Sequence, residues 1–305
     1  MTHVLTGKQF ADKKTLDDLF QRAADLQKAD AEGGMPKLLS GKVVAAVFYE
    51  TSTRTRLSFE SAALKLGAGV ISISDPKTSS ASKGESLEDA IRVIGGYSDV
   101  VVLRHPENDS LSRAAAVSPV AMVNAGEGSN EHPTQALYDL YTIQKELGRI
   151  DGLKIAFLAD FRYQRNIHSL IPILALFKNI ELYLIAPSEL RLPQEYKDKL
   201  AEANIKFQEL DTLDSVLPEI DVLYVTRVFK ERFSDPDEYE RLKKSFLVDL
   251  GTLAKMKKDS IILHVMPRIF EVDVAVDKDP RAAYFRQAKN GLYVRAALLL
   301  YALGL

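Results

Sequence analysis

The sequence predicts an α/β fold with two doubly wound parallel-sheet domains and an active site in the crevice between them. Short continuous apolar runs, of which residues 43–49 are the clearest, are typical of strands buried on both faces. Segments with apolar residues at helical spacing separate these runs, and a second strand–helix alternation begins at Asp151. Alternation of this kind is typical of parallel sheets covered by helices.

Composition narrows the class of protein. The chain has 305 residues, 46% apolar and 27% charged, and is long enough for two domains. Its net charge of −2 gives no general reason to expect a nucleic acid or a membrane surface as partner. The absence of cysteine excludes a disulfide scaffold, a thiolate nucleophile and a cysteine-ligated zinc site. The first thirty residues carry no secretory signal pattern, so a cytoplasmic protein is expected.

The first domain is predicted over residues 1–147, completed by a helix at 291–305. Its predicted strands are 43–49, 69–73, 99–103 and 120–123, and its helices are 16–27, 87–94, one that begins near Arg54 and one that ends at the C-cap Gly148. In the helix after Arg54, the residues Leu57, Ala62 and Leu64 are expected to face the core.

The second domain is predicted over residues 148–290. Its predicted strands are 154–160, 180–186, 205–208, 221–226 and 260–265, with helices at 165–178 and 195–203. The helix at 291–303 is largely apolar, so it must be buried, and it is expected to cross back onto the first domain.

An anion site is predicted where the strand 43–49 turns into a helix. Ser52, Thr53, Arg54 and Thr55 stand at this turn. The first backbone N–H groups of a helix and its positive dipole end favour anions, and a guanidinium can grip two phosphate oxygens at once. The alternative is that Ser52 only caps the helix and Arg54 is solvated. Four consecutive donors behind a buried strand favour a phosphate or carboxylate cradle.

Further polar residues follow other predicted strands. Arg104 ends the strand 99–103, and the crevice at the carboxyl ends of parallel strands is where α/β sheets bind ligands. Arg104 is therefore a second candidate anion ligand, with a surface ion pair as the alternative. His132 and Gln135 lie three apart at the start of a helix whose first turn contains Pro133. His132 is interpreted as a neutral donor to a carbonyl oxygen, with a purely structural histidine as the alternative.

Two more arginines point to a dianionic substrate. Arg165 stands at the start of a predicted helix, and Arg227 directly follows the strand 221–226. Two guanidiniums at one crevice suit a ligand with two carboxylates. Ser79 and Lys83 lie in a polar, serine-rich loop that, taken alone, indicates a solvated surface segment.

Several motifs resemble the aspartate/ornithine transcarbamylase family. They are STRTRLSFE at 52–60, the loop 79–85, Arg104 and HPTQALYDLYTI at 132–143, while TRVFKERF at 226–233 and HVMPR at 264–268 resemble the aspartate branch. The match runs nearly end to end. The ornithine branch carries a reactive Cys in a His-Cys-Leu-Pro segment, and this chain has Val265 and Met266 before Pro267.

The resemblance implies a reaction. Carbamoyl phosphate and L-aspartate would give N-carbamoyl-L-aspartate and phosphate, an early step of pyrimidine synthesis, with no cofactor and no metal. Ser52, Thr53, Arg54, Thr55 and Arg104 match phosphate-binding positions. Thr55, Arg104, His132 and Gln135 match groups around the carbamoyl portion, together with the carbonyls of Met266 and Pro267. Arg165 and Arg227 match ligands of the aspartate carboxylates.

The resemblance also implies an assembly. Ser79 and Lys83 match a loop that the family inserts into a neighbouring subunit, which implies a homotrimer with shared active sites and overrides the solvated interpretation of the loop. Regulatory or other partner chains stay open. A cis peptide bond is implied at Met266–Pro267, with both carbonyls turned toward His132 and Gln135.

Departures from the family pattern cluster in the second domain. The family usually has Gln at Phe229, Pro-Leu at Val265–Met266, Asp at Phe270, Gly at Ala159 and Gln164, and Thr at Asn166. Three hypotheses stay open: an active aspartate transcarbamylase with weakened aspartate affinity, a transcarbamylase for a different amine, and a non-catalytic relative that binds carbamoyl phosphate or serves as a scaffold. Arg165 and Arg227 favour the first hypothesis, whereas the substitutions near them favour the third.

Overall fold

The computed structural model describes residues 1–162, 164–228 and 236–305, which contain two parallel sheets flanked by helices. A four-stranded sheet has the order β2-β1-β3-β4 and a five-stranded sheet has the order β7-β6-β5-β8-β9. Every strand pair in both sheets is parallel. The predicted fold class is confirmed.

The four-stranded sheet and its helices come from the first half of the chain. The strands are β1 Val43–Phe48, β2 Gly69–Ile73, β3 Val100–His105 and β4 Ala121–Glu127, and the helices are α1 Lys13–Ala31, α2 Thr53–Lys65, α3 Leu87–Gly95, α4 Ser110–Val117 and α5 Pro133–Leu147. Strands β1, β3 and β4 are almost completely buried, which explains the continuous apolar sequence of β1 and the apolar first halves of β3 and β4.

The strands of the five-stranded sheet come from the second half of the chain. Its strands are β5 Lys154–Leu158, β6 Glu181–Ile185, β7 Lys206–Leu210, β8 Val222–Val225 and β9 Ile261–His264, and the helices are α6 Arg165–Leu174, α7 Gln194–Glu202, α8 Pro236–Leu242, α9 Leu250–Lys255 and α10 Tyr284–Leu303. Helix α6 contains Pro172 and ends four residues earlier than the sequence predicts.

The strand order of each sheet reverses direction at one point. In the first sheet, β1 lies between β2 and β3, and in the second sheet, β5 lies between β6 and β8. A crevice opens outside the carboxyl ends of strands at such a switch point, because the connections leave to opposite sides. The anion cradle follows β1 and Arg104 lies at the carboxyl end of β3, while Arg165 and Arg227 follow β5 and β8.

The described residues form two compact units. The first unit comprises residues 1–138, 168–173 and 289–305, and the second unit comprises residues 139–167 and 174–288. The first unit therefore takes a short piece of α6 and most of α10 from distant parts of the sequence.

The predicted core face of α2 is wrong for two of its three residues, since only Ala62 is buried. Leu57 and Leu64 are 51% and 58% exposed, and the buried residues are Thr55, Phe59, Ala62 and Ala63. These four positions have the i, i+4, i+7, i+8 spacing of one helical face. Positions 57 and 64 fall on the opposite face of the same helix.

Other elements also differ from the sequence-based prediction. Helix α4, which buries only Ser110, Leu111 and Ala114, was not predicted. Strand β4 continues through Gly126 to Glu127, because Glu127 pairs with His105 of β3 instead of turning away. Helix α10 begins at Tyr284, seven residues before the predicted start at 291.

Candidate active site

The start of α2 has the geometry of an anion site. Ser52 is the N-cap residue, in extended conformation, and its side chain makes no capping hydrogen bond. Thr53 and Arg54 are exposed, whereas Thr55 is buried. The buried strand β1 fixes the position of this helix start, and the helix presents its first backbone N–H groups there.

Arg104 lies next to this cradle. In the β1–β3 pairing it stands opposite Phe48, and its carbonyl accepts the N–H of Tyr49. The Arg104 side chain is buried, with its Nη1 donating to the carbonyl of Ala125 at 3.2 Å. Its Nε lies 3.0 Å from Oε2 of Glu50. The guanidinium is therefore an anchored, buried cation, and Glu50 is a partner that the sequence analysis missed.

Two aromatic side chains that pack against each other near Arg104 are uncharged. His105, the next residue, packs edge-to-face against Tyr49 with ring centroids 5.6 Å apart. Burial lowers the pKa of His105 below its ordinary value. Burial also raises the pKa of Tyr49, and the carboxylate of Glu85 adds to that shift. Both rings are therefore neutral at pH 7.

His132 and Gln135 lie at the start of α5 and are both buried. The backbone N–H of His132 donates to Oγ of Ser169 at 2.8 Å, and the Ser169 hydroxyl also bonds to the carboxylate of Glu131. Oε1 of Gln135 accepts from the Tyr138 hydroxyl at 2.5 Å. These supporting contacts fix the loop before α5. Ser169 lies 37 residues after His132 in the sequence, and no sequence motif identified it as part of the site.

The two arginines of the second unit are joined through a third residue. Arg165 is the first residue of α6, and Arg227 lies two residues after β8. The buried side chain of Gln164 donates to the carbonyl of Arg227 at 3.0 Å. Gln164 stands where the family pattern has Gly, so this link between the two segments is a feature of this chain.

A tight turn follows β9. The peptide bond between Met266 and Pro267 is cis, which confirms that prediction, and Met266 has a left-handed φ of 54°. The N–H of Met266 donates to Nδ1 of His264 at 2.9 Å. The direction of the two carbonyls relative to His132 and Gln135 stays a prediction.

The loop with Ser79 and Lys83 consists of short 3₁₀ turns. Ser79 precedes the turn Ser80–Lys83, its carbonyl accepts the Ser82 hydroxyl at 2.7 Å, and Lys83 is exposed. Of the departures from the family pattern, Phe229 lies outside the described residues. Within the described residues, no group of three or more His, Asp or Glu side chains is arranged to hold a metal ion.

These features define a two-part parallel α/β protein with a candidate anion cradle in one part and a pair of arginines in the other. The chain matches the carbamoyl-phosphate-binding domain of aspartate/ornithine carbamoyltransferases over residues 2–145 and their aspartate/ornithine-binding domain over residues 151–302. The chain belongs to the aspartate/ornithine carbamoyltransferase family, which confirms the resemblance seen in its motifs.

Named relatives lie in the aspartate branch. The aspartate carbamoyltransferase catalytic subunit of Methanocaldococcus jannaschii is 48% identical over 98% of this chain and 97% of its own length. The chloroplastic aspartate carbamoyltransferase of Arabidopsis thaliana is 44% identical over 98% of this chain and 77% of its own length.

Solved structures have the same fold. The crystal structure of the M. jannaschii catalytic subunit gives a TM-score of 0.92 over 98% of this chain and 97% of the other, at 48% identity. The Trypanosoma cruzi aspartate transcarbamoylase bound to N-(phosphonacetyl)-L-aspartic acid also gives 0.92, at 36% identity over 98% and 94% of the two chains. None of the helices in the described ranges is both long and apolar enough to cross a membrane.

Proposed function

We propose that this chain transfers the carbamoyl group of carbamoyl phosphate to the amino group of L-aspartate, giving N-carbamoyl-L-aspartate and phosphate. One observation carries the proposal: a buried Arg104 stands beside the anion cradle of α2, in a chain 48% identical to a named aspartate carbamoyltransferase. A cradle of this kind suits a phosphate ester, and the relatives specify which one.

The first substrate is assigned to residues that the sequence analysis named. Residues 1–147, with 291–305, form the proposed carbamoyl-phosphate-binding domain. The phosphate group binds Ser52, Thr53, Arg54, Thr55 and Arg104. The carbamoyl portion contacts Thr55, Arg104, His132 and Gln135 and the backbone carbonyls of Met266 and Pro267.

The second substrate is assigned to residues 148–290. Arg165 and Arg227 bind the two carboxylates of aspartate, and the Gln164 side chain holds the segments that carry them in register. Guanidiniums bind carboxylates with two parallel hydrogen bonds, which fixes the orientation of the ligand as well as its affinity.

The chemistry follows from placement and charge. Holding the aspartate amine against the carbamoyl carbon removes much of the entropic barrier. As the new C–N bond forms, the carbonyl oxygen becomes negative, and Thr55, Arg104 and His132 stabilise it. The C–O bond to phosphate then breaks, and Arg54 with Lys83 neutralises the departing phosphate. The proton that the amine loses passes to the departing phosphate, so the transfer needs no separate protein base.

We also propose a homotrimer in which Ser79 and Lys83 serve the active site of the neighbouring subunit. The exposed Lys83, on a loop made of 3₁₀ turns, supports this assignment, because nothing in its own domain has to be disrupted for it to reach outward. The cytoplasmic location stays a prediction, since the relatives include a chloroplastic enzyme as well as an archaeal one.

A different amine substrate is the second candidate, and the departures of the second unit favour it. Gln164 and Asn166 replace smaller residues of the family pattern, and both are buried and hydrogen-bonded. Because each of these two side chains makes a hydrogen bond, they change the shape of the segment around Arg165 at little cost in stability.

A colorimetric assay for carbamoylated product decides between the two candidates. The chain is incubated with carbamoyl phosphate and, in turn, aspartate, glutamate, ornithine and a simple monoamine. We expect turnover with aspartate that exceeds turnover with every other amine. Faster turnover with another amine would replace the aspartate assignment, and no turnover with any amine would favour a carbamoyl-phosphate-binding scaffold.

A further inference from the structure

The second unit contains a buried hydrogen-bond network to which the proposed chemistry assigns no role. We call it the Asp139 network, and its members are Asn166, Tyr224, Asp139, Gln287 and His264. All five side chains are at most 5% exposed. Burying this many polar groups is costly unless each finds partners, so the network is a built feature of the fold.

One arm of the network ends at the start of α6. Nδ2 of Asn166 donates to the Tyr224 hydroxyl oxygen at 2.6 Å, and the Tyr224 hydroxyl donates to the carboxylate of Asp139. Asn166 directly follows Arg165. The family pattern has Thr at position 166, so the amide donor of this arm is a feature of this chain.

The other arm ends at the turn after β9. Nε2 of Gln287 donates to Oδ1 of Asp139 at 2.7 Å, and its Oε1 accepts the backbone N–H of His264 at 2.9 Å. Nδ1 of His264 then accepts the N–H of Met266. A continuous series of hydrogen bonds therefore runs from Asp139 to the residue whose carbonyl is assigned to the carbamoyl group.

The donors of both arms point toward Asp139. Hydrogen bonds arranged in series in this way polarise one another, and an ionised group at the end strengthens the whole series. Because the two arms share one carboxylate, a change in either arm alters the acceptor on which the other depends.

The turn itself needs such support. The left-handed φ of Met266 is unfavourable for a residue other than glycine, and such a conformation persists only when its surroundings hold it. Glu271 supports the turn from the other side by accepting the N–H groups of Ile269 and Phe270 at 2.7 and 3.2 Å. Its Oε2 lies 3.8 Å from Nε2 of His264, the nitrogen that carries the proton when Nδ1 is an acceptor.

We propose that the Asp139 network positions both substrate-binding segments of the second unit at once. Its first arm fixes the start of α6, which carries Arg165, and its second arm fixes the carbonyls of Met266 and Pro267. Its members are positioning residues, since they act through these segments. The inference rests on the proposed function, because only the two-substrate reaction requires both segments together.

Two single variants test the arms separately. Gln287→Met keeps the length of the side chain and removes its hydrogen bonds, and we expect it to weaken carbamoyl phosphate binding about five- to tenfold in calorimetric titration without aspartate. Tyr224→Phe removes only the hydroxyl, and we expect it to raise the KM for aspartate about five- to tenfold while kcat changes less than twofold. In the double variant, the Kd for carbamoyl phosphate and the KM for aspartate should each change by less than the product of the changes in the two single variants, because the arms share Asp139.

A matched control is Tyr183→Phe. Tyr183 in β6 is 2% exposed, and its hydroxyl interacts with Lys154 at the opposite end of the strands. We expect this variant to have the kinetic and binding constants of the wild type. Thermal unfolding verifies that all variants are folded. If Gln287→Met fails to fold, Gln287→Glu replaces it, since a carboxyl in place of the amide donor removes the hydrogen bond to Asp139.

The outcomes separate the inference from the proposed function. Folded variants whose KM and Kd stay within twofold of the wild type, or that lose only kcat, would overturn the positioning role. An inactive wild type would overturn the proposed function, and its carbamoyl phosphate Kd, compared with that of Gln287→Met, would still decide whether the second arm holds the turn.

Discussion

Arg54 stands in the first exposed turn of α2, where its guanidinium and the helix N–H groups can face one anion. We expect Arg54→Ala to weaken carbamoyl phosphate binding at least about tenfold, because a charge-assisted bidentate contact is lost. The fold should stay intact, since an exposed side chain is removed. Calorimetric titration and thermal unfolding measure the two effects.

The same helix offers a control for that variant. Arg56 lies two residues further on, with its Nη1 3.5 Å from Oε1 of Glu60. Arg56→Ala removes the same charge from α2, and we expect its carbamoyl phosphate affinity to stay within about threefold of the wild type, since the half-buried Arg56 is paired with Glu60 and is not one of the residues assigned to the cradle. Equal losses in the two variants would show a general charge effect and contradict the cradle.

A carboxylate next to the turn after β9 governs a pH effect on stability. Arg268 makes a bidentate ion pair with Asp277, one arm of which measures 2.7 Å, and this contact lowers the pKa of Asp277 below its ordinary value. In the unfolded chain the carboxyl therefore binds its proton at higher pH than in the folded chain. The stabilisation is present at neutral pH and is lost as the pH falls below about 4.

Asp277→Asn tests this expectation. At pH 7 we expect the variant to unfold about 2–4 °C below the wild type, and we expect this gap to close as the pH approaches about 3. Melting curves of both proteins across that range give the answer. A gap of constant size would mean that the ion pair contributes nothing through its charge.

Helix α3 packs unusually closely on the segment before β4. A Cβ atom on Gly95 would lie 2.6 Å from Cδ of Pro119, a distance at which one of the two elements must move. We expect Gly95→Ala to lower the free energy of unfolding by about 1–3 kcal/mol, as overpacking does elsewhere. Denaturant unfolding measures the change.

Gly69→Ala is the matched control for the helix variant. Its added Cβ would meet nothing closer than 3.8 Å, which is ordinary van der Waals contact. We expect its free energy of unfolding to stay within about 0.5 kcal/mol of the wild type. If both alanines destabilise alike, the close contact between Gly95 and Pro119 does not explain the loss, because the reduced flexibility of the unfolded chain would by itself stabilise both variants.

The elements differ in how far the sequence determines them. Buried strands such as β1 and β3 were predictable because a strand covered on both faces must be apolar throughout. The core face of α2 was not predictable, because it depends on what the helix packs against. The helix leaves Leu57 and Leu64 exposed to solvent. Helix α4 was missed because it buries little and so has no apolar period.

The candidate site shows the same limit. Strand ends predicted Arg104 and Arg227, because topology alone brings the carboxyl ends of parallel strands to one edge. The supporting residues Ser169, Asp139 and Gln287 come from distant segments and are ordinary polar residues in the sequence. Only packing reveals that they hold the residues that motifs identify.

At the scale of the whole assembly, the shared-site proposal predicts complementation. Lys83→Ala and His132→Ala homotrimers should each be inactive, because every site then lacks one group. After subunit exchange in a mixture, some sites combine an intact Lys83 with an intact His132, so carbamoyl transfer should return.

The mixing experiment has an internal reference. Each variant taken alone through the same exchange procedure should stay inactive, and native mass spectrometry should verify that hybrid trimers have formed. Verified hybrids without activity would show that Lys83 serves its own subunit, and activity in the unmixed variants would remove both residues from the proposed chemistry.

The division of the first unit among three segments has a consequence for synthesis on the ribosome. The second unit is complete in sequence at residue 288, whereas the first unit still lacks residues 289–305, which include the fully buried Val294, Leu298 and Leu300. The unit that begins first is therefore finished last. Until α10 emerges, its apolar docking surface stays open on the nascent chain, at the stage when multi-part proteins are most prone to aggregate. A chaperone that shields that surface would act on this chain from the time the earlier segments of the first unit emerge until α10 docks.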